Sequence, residues 1–205
     1  MSKDPISQIL DWIVDMGIKG CGFLPSARDL AEHHKKACKT TEEAIDSVIA
    51  WRTAYATGTG FLTGLGGIAT LPITIPASLA SSYALGANTA AAIAILRGYD
   101  ENFDQVRTFV LLSLIGDGAI EVLKGAGVVI GNKVAQNLIQ QIPGKVLIEI
   151  NKKVGFRLVT KAGEKGVVNL MKLVPLIGGV VGAGFDSTFV NSCGKNAKKL
   201  FTPQV

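Results

Sequence analysis

Apolar residues recur at helical spacing from the beginning of the chain and predict three amphipathic helices ahead of a long uncharged segment. Asp4 followed by Pro5 is typical of an N-cap and a first helical residue, and Ser26 after Pro25 predicts the next helix start. Thr40, three residues before a glutamate, has the spacing of a capping box ahead of the third helix. The positions predicted to face inward are Ile6, Ile9, Leu10, Ile13, Ala27, Leu30, Ala31, His34, Ala44, Ile45, Val48, Trp51 and Tyr55.

The uncharged segment runs from Thr53 to Leu96 and contains no Asp, Glu, Lys, Arg or His. Its first part is rich in glycine, and the part from Pro76 onward has the composition of a long buried helix. A membrane hairpin is the alternative, because about twenty apolar residues can span a bilayer. Polar residues in the second part favour a core helix of a bundle, namely Ser78, Ser81, Ser82, Asn88 and Thr89.

Helical spacing resumes after this segment, and no strand-type alternation persists anywhere. Asn102 with Gln105 predicts one helix start, and Pro143 with Gly144 predicts a turn before another helix. The apolar positions of these two helices are Phe103, Val106, Val110, Leu111, Leu114, Val146, Leu147, Ile150, Val154 and Leu158. The predicted fold class is all-α, a single glycine-rich helical bundle with a buried central hydrophobic helix, and residues 1–205 form one domain.

The composition is more apolar than that of an ordinary soluble domain, with 48% hydrophobic residues, 18% charged residues and a mean hydropathy of +0.35. Three widely spaced cysteines do not form a disulfide framework and are typical of a reducing cytosol. No cleaved signal is predicted, because Asp4, Asp11 and Asp15 interrupt the apolar N-terminal stretch. We expect a cytoplasmic location, peripheral or integral at the cytoplasmic membrane.

Four stretches of the chain resemble the EcsC protein family in the same order. They are GFLTGLGGIATLPITIPASL (60–79), AAIAILRGYD (91–100), QVRTFVLL (105–112) and INKKVGFRLVTKAGEKGVVNLMKLVPLIGGVVGAGFD (150–186). The resemblance implies a family-like core over 57–201, preceded by amphipathic N-terminal helices over 1–56. The family takes its name from a protein encoded beside an ABC transporter, so the resemblance implies a possible transporter partner and no particular reaction.

Motifs for phosphate, metal or nucleophilic chemistry are incomplete. The central glycines follow a helix and precede no Lys-Ser or Lys-Thr pair, so they do not form a P-loop. His34 and Cys38 share a helical face without a paired Cys-x-x-Cys, and no Gly-x-Ser-x-Gly elbow is present. We therefore expect no metal and no cofactor. The glycines that we assign to helix packing are Gly60, Gly64, Gly67, Gly178 and Gly182.

Asp186 is the single charge in the apolar run from Leu173 to Gly194. A carboxylate in such surroundings must reach water, pair with a cation or become protonated, and we expect Arg97 or Arg107 as its partner. These groups would form a polar lock between helices or line an internal ligand site. The complete predicted set is Arg97, Asp100, Arg107 and Asp186.

Asp117 and Glu121 lie one helical turn apart, with Lys124 close behind, and two such carboxylates could divide acid and base roles. The plainer interpretation is a charged helix face with a local ion pair, and we favour it.

The positive charge is concentrated in the last third of the chain. Residues 144–205 contain ten Lys and Arg against three Asp and Glu. Phe156 is the only aromatic residue of the basic stripe, so base stacking has little support and no nucleic-acid partner is expected. An anionic membrane surface or lipid is the favoured partner, although a merely solvated face is an alternative. The predicted contact residues are Lys145, Lys152, Lys153, Arg157 and Lys161.

Together these patterns favour a non-catalytic, membrane-associated helical protein, with an accessory role beside a transporter implied by the resemblance. The alternatives are a soluble bundle that binds an apolar or lipid ligand, a small hydrolase, and a protein that permeabilises membranes.

Overall fold

Eight helices make up most of the chain that the structure describes, and no strand occurs in that part. The structure is a computed structural model that describes residues 4–22, 24–57, 77–128, 139–170 and 178–203, with the backbone alone for 77–79, 161–170 and 178–186. The helices are α1 (Pro5–Lys19), α2 (Ala27–Ala37), α3 (Thr41–Thr57), α4 (Ala77–Leu96), α5 (Asp104–Leu114), α6 (Gly118–Gly125), α7 (Gly144–Leu170) and α8 (Gly178–Leu200). The predicted all-α fold is confirmed.

The first three helices begin where their capping residues predict. The Asp4 carboxylate accepts hydrogen bonds from the first amides of α1, and Pro5 is the first helical residue. Ser26 Oγ accepts from the amide of α2's third residue at 3.1 Å. Thr40 Oγ1 accepts from the Glu43 amide at 3.1 Å, as in a capping box. These local side-chain contacts satisfy amides that have no partner within the helix.

The start of α5 differs from its prediction. The helix begins at Asp104, and its N-cap is Phe103, which makes no side-chain cap and is exposed instead of buried. Asp100 accepts from the Asn102 amide at 2.9 Å, so these two residues stabilise the turn before the helix. The predicted helix start was correct to within two residues, but the capping position and the inward orientation of Phe103 were wrong.

Helix α4 is the centre of the bundle. It contacts α1, α2, α3, α5 and α8, and every residue from Ala80 to Ala94 is buried. Its many alanines let five neighbours approach closely, which accounts for a core helix with few large side chains. The predicted buried central helix is confirmed, whereas the glycine-rich part of the proposed membrane hairpin, at 58–76, lies outside the described residues. None of the described helices is both long and apolar enough to cross a membrane.

Helix α3 turns its predicted apolar face inward, with one exception at Trp51. Ile45 and Val48 are buried as expected, but Trp51 is 57% exposed and Arg52 is 1% exposed. Arg52 lies four residues after Val48 and seven after Ile45, so it shares their face. The prediction that Trp51 faces inward was wrong, because the charged Arg52 occupies the buried position of that turn.

Close helix packing depends on glycines that the sequence reading did not select. A Cβ at Gly17 of α1 would lie 2.6 Å from the Ala87 Cβ of α4, and one at Gly194 of α8 would lie 2.7 Å from Ile49 of α3. Of the predicted packing glycines, Gly60, Gly64 and Gly67 are not among the described residues. Gly178 and Gly182 lie in the first two turns of α8, and their packing role stays a prediction.

Candidate functional site

The outer face of α7 carries an exposed stripe of alternating basic and apolar side chains. Lys145, Ile148, Lys152 and Phe156 follow one another at intervals of three or four residues and therefore share one side of the helix. Ile148 is 59% exposed and Phe156 is 65% exposed. We call these four residues the α7 stripe.

The opposite face of α7 explains why the stripe points outward. Leu147, Ile150, Val154 and Leu158 are buried, and α7 packs with this face against α1 and α5. Gly155 permits the close approach, since a Cβ there would lie 2.3 Å from the Ile6 side chain of α1. The predicted apolar positions of this helix are therefore confirmed at the buried face.

The predicted basic contact residues of α7 divide into two groups. Lys153 pairs with Glu149 at 2.8 Å and donates to the Gly125 carbonyl at 2.7 Å, and Arg157 pairs with Glu121 at 2.7 Å. Lys145 and Lys152 have no carboxylate partner in the described part of the chain and are both exposed. Their ammonium groups are the ones left to meet an external anion, whereas the side chain of Lys161 is not described.

A groove of about 430 Å³ opens between α1, α5 and α7 beside the α7 stripe. Its apolar wall is formed by Ile6, Leu10, Val14, Leu111 and Leu147. Its polar lining comprises Asp4, Ser7, Asp11, Asp104, Arg107, Thr108, Asn151 and Lys152. Ile148 and Lys152 belong both to this lining and to the α7 stripe, so the groove adjoins the stripe directly.

Two polar groups in the groove differ in how they are satisfied. Arg107 donates to the Asp15 carboxylate at 2.6 Å. Burial opposes the ionisation of Asp15, but hydrogen bonds from Arg107 and Lys19 outweigh burial and lower the pKa of that carboxyl. The Oδ1 atom of Asn151, in contrast, is buried and accepts no hydrogen bond. A buried acceptor without a donor is costly.

The predicted polar lock is described only in part. Arg97 forms an ion pair with Glu42, and Asp100 accepts hydrogen bonds from Asn102, so each has a partner of its own, as Arg107 does. The side chain of Asp186 is not described. Its pairing with either arginine therefore stays a prediction.

Of Asp117 and Glu121, only Glu121 has an ion-pair partner among the described residues. Glu121 reaches across to Arg157 of α7, and this hydrogen bond lowers the pKa of Glu121. The partner is therefore on another helix and is not the neighbouring Lys124. Asp117 is exposed ahead of the helix. The favoured interpretation as an ordinary charged surface agrees with this placement, but the predicted ion pair within the helix was wrong, because Glu121 pairs with Arg157.

His34 is a core-boundary residue with a local partner. Its Nδ1 atom lies 2.9 Å from Ser47 Oγ in a hydrogen bond between α2 and α3. Burial, followed by the nearby charges of His33 and Arg52, lowers the pKa of His34. No cluster of three or more metal-ligating side chains occurs among the described residues.

Arg52 forms a buried polar centre that sequence reasoning missed. Its Nη2 atom donates to Asn88 Oδ1, Nε has no hydrogen-bond partner, and the Tyr55 ring centroid lies 5.6 Å from the guanidinium carbon. Burial lowers the pKa of Arg52 to about 10, so the group is still charged at neutral pH. No carboxylate pairs with it in the described part of the chain. The sequence signal that could have identified Arg52 as buried is its position four residues after Val48, which places it on the same face of the helix.

These features define an all-α protein with a small-residue core helix, a basic outer helix and a groove beside it. A family model described as the EcsC protein family matches residues 4–203, and the chain therefore belongs to the EcsC family. This confirms the resemblance and extends it over α1 to α3, which had been placed before the family-like core. No curated protein and no solved structure matches the chain in the other two comparisons.

Proposed function

We propose that the protein is a non-catalytic helical domain that docks on an anionic membrane surface through the α7 stripe. The observation that carries the proposal is the exposure of Ile148 and Phe156 on the same side as two lysines that have no described carboxylate partner. Apolar side chains flanked by lysines suit the boundary between anionic headgroups and acyl chains. The net positive charge of +5 favours the same partner at longer range.

The expected strength of this docking is modest. Full burial of a large apolar side chain contributes about 1.5–3 kcal/mol, and a lysine near an anionic surface contributes about 1 kcal/mol. The four side chains together then supply several kcal/mol, which is enough for reversible binding and too little for permanent anchoring. An accessory role beside a membrane transporter, which the family resemblance implies, would use this docking to hold the domain near its partner.

Co-sedimentation with vesicles tests the proposal. We expect binding to vesicles that contain phosphatidylglycerol, weak binding to pure phosphatidylcholine, and release by salt because exposed charges are screened. Replacing Lys145 and Lys152 by Gln should weaken binding by about 30-fold, from about 1 kcal/mol for each lysine. Replacing Ile148 and Phe156 by Ser should weaken it further while leaving the salt dependence in place.

Matched controls come from other exposed residues. Lys35 and Lys36 on α2 are exposed, so the K35Q/K36Q variant changes the net charge equally without touching the α7 stripe. W51S removes an exposed aromatic side chain from α3. W51S should bind as the wild type does, and K35Q/K36Q should lose only the weak long-range attraction that follows from net charge. Equal losses in the control and stripe variants, or no binding of the wild type at low salt, would show that this surface is not the docking site.

A further inference from the structure

The groove between α1, α5 and α7 has an acidic lining, although it lies beside the basic α7 stripe. The carboxylates that line it are Asp4, Asp11 and Asp104. Of its two cations, Arg107 is already paired with Asp15, which leaves Lys152. Asp4 and Asp104 are both exposed, and neither forms an ion pair with another described residue. A partner surface that is basic and apolar would complement this groove.

The two exposed carboxylates lie at opposite ends of the groove. Asp104 begins α5, and the side chain that follows it donates at 3.4 Å to the Ile142 carbonyl, two residues before α7 begins. Asp4 caps α1, whose Ile6 side chain packs against Gly155 in the middle of α7. One carboxylate is therefore near the beginning of α7 and the other is near its middle.

The unpaired lysines of the α7 stripe are spaced in a corresponding way. Lys145 and Lys152 are seven residues apart, about 10 Å along the helix axis, and Ile148 lies near their midpoint. A second copy rotated by 180° about an axis through Ile148 has its α7 antiparallel to the first. Its Lys152 then lies at the Asp104 end of the groove, and its Lys145 lies toward Asp4. The face is thus complementary to itself, as a two-fold interface requires.

We infer that two copies of the chain associate through this face, with Lys152 of each copy paired with Asp104 of the other. The Ile148 side chains, each 59% exposed in the single chain, pack against one another and against the apolar wall of the groove. Fifteen residues line the groove, fewer than the roughly 20–30 a side of a standard interface. The dimer is therefore weak and reversible.

Association covers part of the α7 stripe. Ile148 and Lys152 are enclosed in the dimer, so dimerisation and membrane docking compete and the chain docks as a monomer. This consequence rests on the proposed docking function, whereas the dimer itself does not. Phe156 lies eight residues beyond Ile148 and outside the groove lining, so it stays exposed. F156S should therefore weaken vesicle binding without weakening the dimer.

Sedimentation velocity at several protein concentrations tests the dimer without any membrane. We expect the wild type to dimerise at low salt and to dissociate at high salt. D104K and K152D should each weaken dimerisation by about 30-fold, because the symmetric interface loses two exposed ion pairs and gains two repulsive ones. An equimolar mixture of the two variants should dimerise as the wild type does, since each substituted side chain then faces one of opposite charge.

D117K and K35D are the matched controls, because they make the same changes of charge at exposed positions that do not line the groove. Both should dimerise nearly as the wild type does. If circular dichroism shows that D104K or K152D is unfolded, D104N and K152Q replace them, and each should weaken the dimer by about fivefold. A wild type that stays monomeric, variants that dimerise as the wild type does, or a mixture that stays monomeric would overturn the inference.

Vesicle binding distinguishes this inference from the proposed function. D104N leaves the α7 stripe intact, so it should bind anionic vesicles at least as well as the wild type. A monomeric wild type that still binds vesicles would remove the dimer alone. A dimer that dissociates as expected, in a protein that ignores vesicles at low salt, would remove the docking function alone.

Discussion

Arg52 and Asn88 connect α3 to the central helix α4 through a hydrogen bond of 2.5 Å between Nη2 and Oδ1. The amide nitrogen of Asn88 donates at the same time to the carbonyl oxygens of Gly17, at 2.8 Å, and Pro25, at 3.0 Å. One buried side chain thus links α3, the C-terminal part of α1 and the loop between α1 and α2. We infer that Asn88 determines how the N-terminal helices are positioned on α4.

Replacement of Asn88 by Ala should reduce the free energy of unfolding by about 3 kcal/mol, because it leaves two carbonyls and a charged guanidinium without their partner. Urea denaturation monitored by circular dichroism measures the change. N191A is the matched control, since Asn191 makes a 3.3 Å hydrogen bond to Thr53 in a partly buried position. It should cost less than about 1 kcal/mol. Equal effects in the two variants would contradict the central role of Asn88.

Replacement of Gly17 by Ala should destabilise the protein by about 3 kcal/mol through overpacking. The added Cβ would meet the backbone of α4, at 2.8 Å from the Ala87 carbonyl carbon and 2.9 Å from the Asn88 nitrogen, and neither atom can rotate away. Thermal unfolding measures the loss. G144A is the control, because a Cβ at Gly144 meets nothing within 4 Å. A melting temperature for G17A equal to that of the wild type would show that the two helices are not in close contact.

Local signals predicted the elements of this fold better than its contacts. The caps at Asp4, Ser26 and Thr40 act over two or three residues, so the sequence shows both partners side by side. Arg52 is different, because its burial depends on Asn88, 36 positions away. The pattern around it therefore favoured Trp51 as the core residue.

For the candidate site, too, local features could be predicted from the sequence, whereas contacts between distant segments could not. The basic positions of α7 could be read from the sequence, but which of them are paired depends on Glu149 within the helix, the partner of Lys153, and on Glu121 from α6, the partner of Arg157. The groove could not be predicted, since its wall combines α1 with segments about a hundred residues further along. Asn151 gave no sequence signal, because its importance lies only in an acceptor that its surroundings leave unpaired.

Replacement of Arg28 by Ala should cost about 2–3 kcal/mol, because it leaves a largely buried carboxylate unpaired. The Glu101 side chain is only 7% exposed, and both of its oxygens accept from Arg28 Nη2, at 2.7 and 2.9 Å. R28K should recover part of the loss, since lysine retains the charge but not the forked geometry. Chemical denaturation at neutral pH measures the free energy of unfolding of the wild type, R28A and R28K.

The comparison for this pair is Arg157 with Glu121, another arginine and glutamate from separate segments of the chain. Glu121 is exposed, so R157A should cost less than about 1 kcal/mol. If R157A were as destabilising as R28A, the burial of Glu101 would not be the cause of the larger effect.

His34 should make the stability of the protein fall between about pH 7 and pH 5. Burial and the charges of His33 and Arg52 lower the pKa of His34 in the folded protein below the unfolded value of 6.5. In this window the unfolded chain therefore binds more protons than the folded protein. The stability associated with neutral His34 is complete above the unfolded pKa and is lost as the pH falls toward the folded pKa. The slope approaches at most about 1.4 kcal/mol per pH unit.

Urea denaturation at several pH values gives the slope of the free energy of unfolding against pH. A variant that loses the same stability at every pH leaves this slope unchanged. H34Q should flatten the slope between pH 5 and pH 7, whereas H33Q should keep most of it, because His33 is exposed and affects His34 only through its charge. Asp15 and Glu42 also have lowered pKa values, but their ordinary values of 3.8 and 4.5 place their titration below this window. A wild-type slope in H34Q would assign the pH dependence to another group.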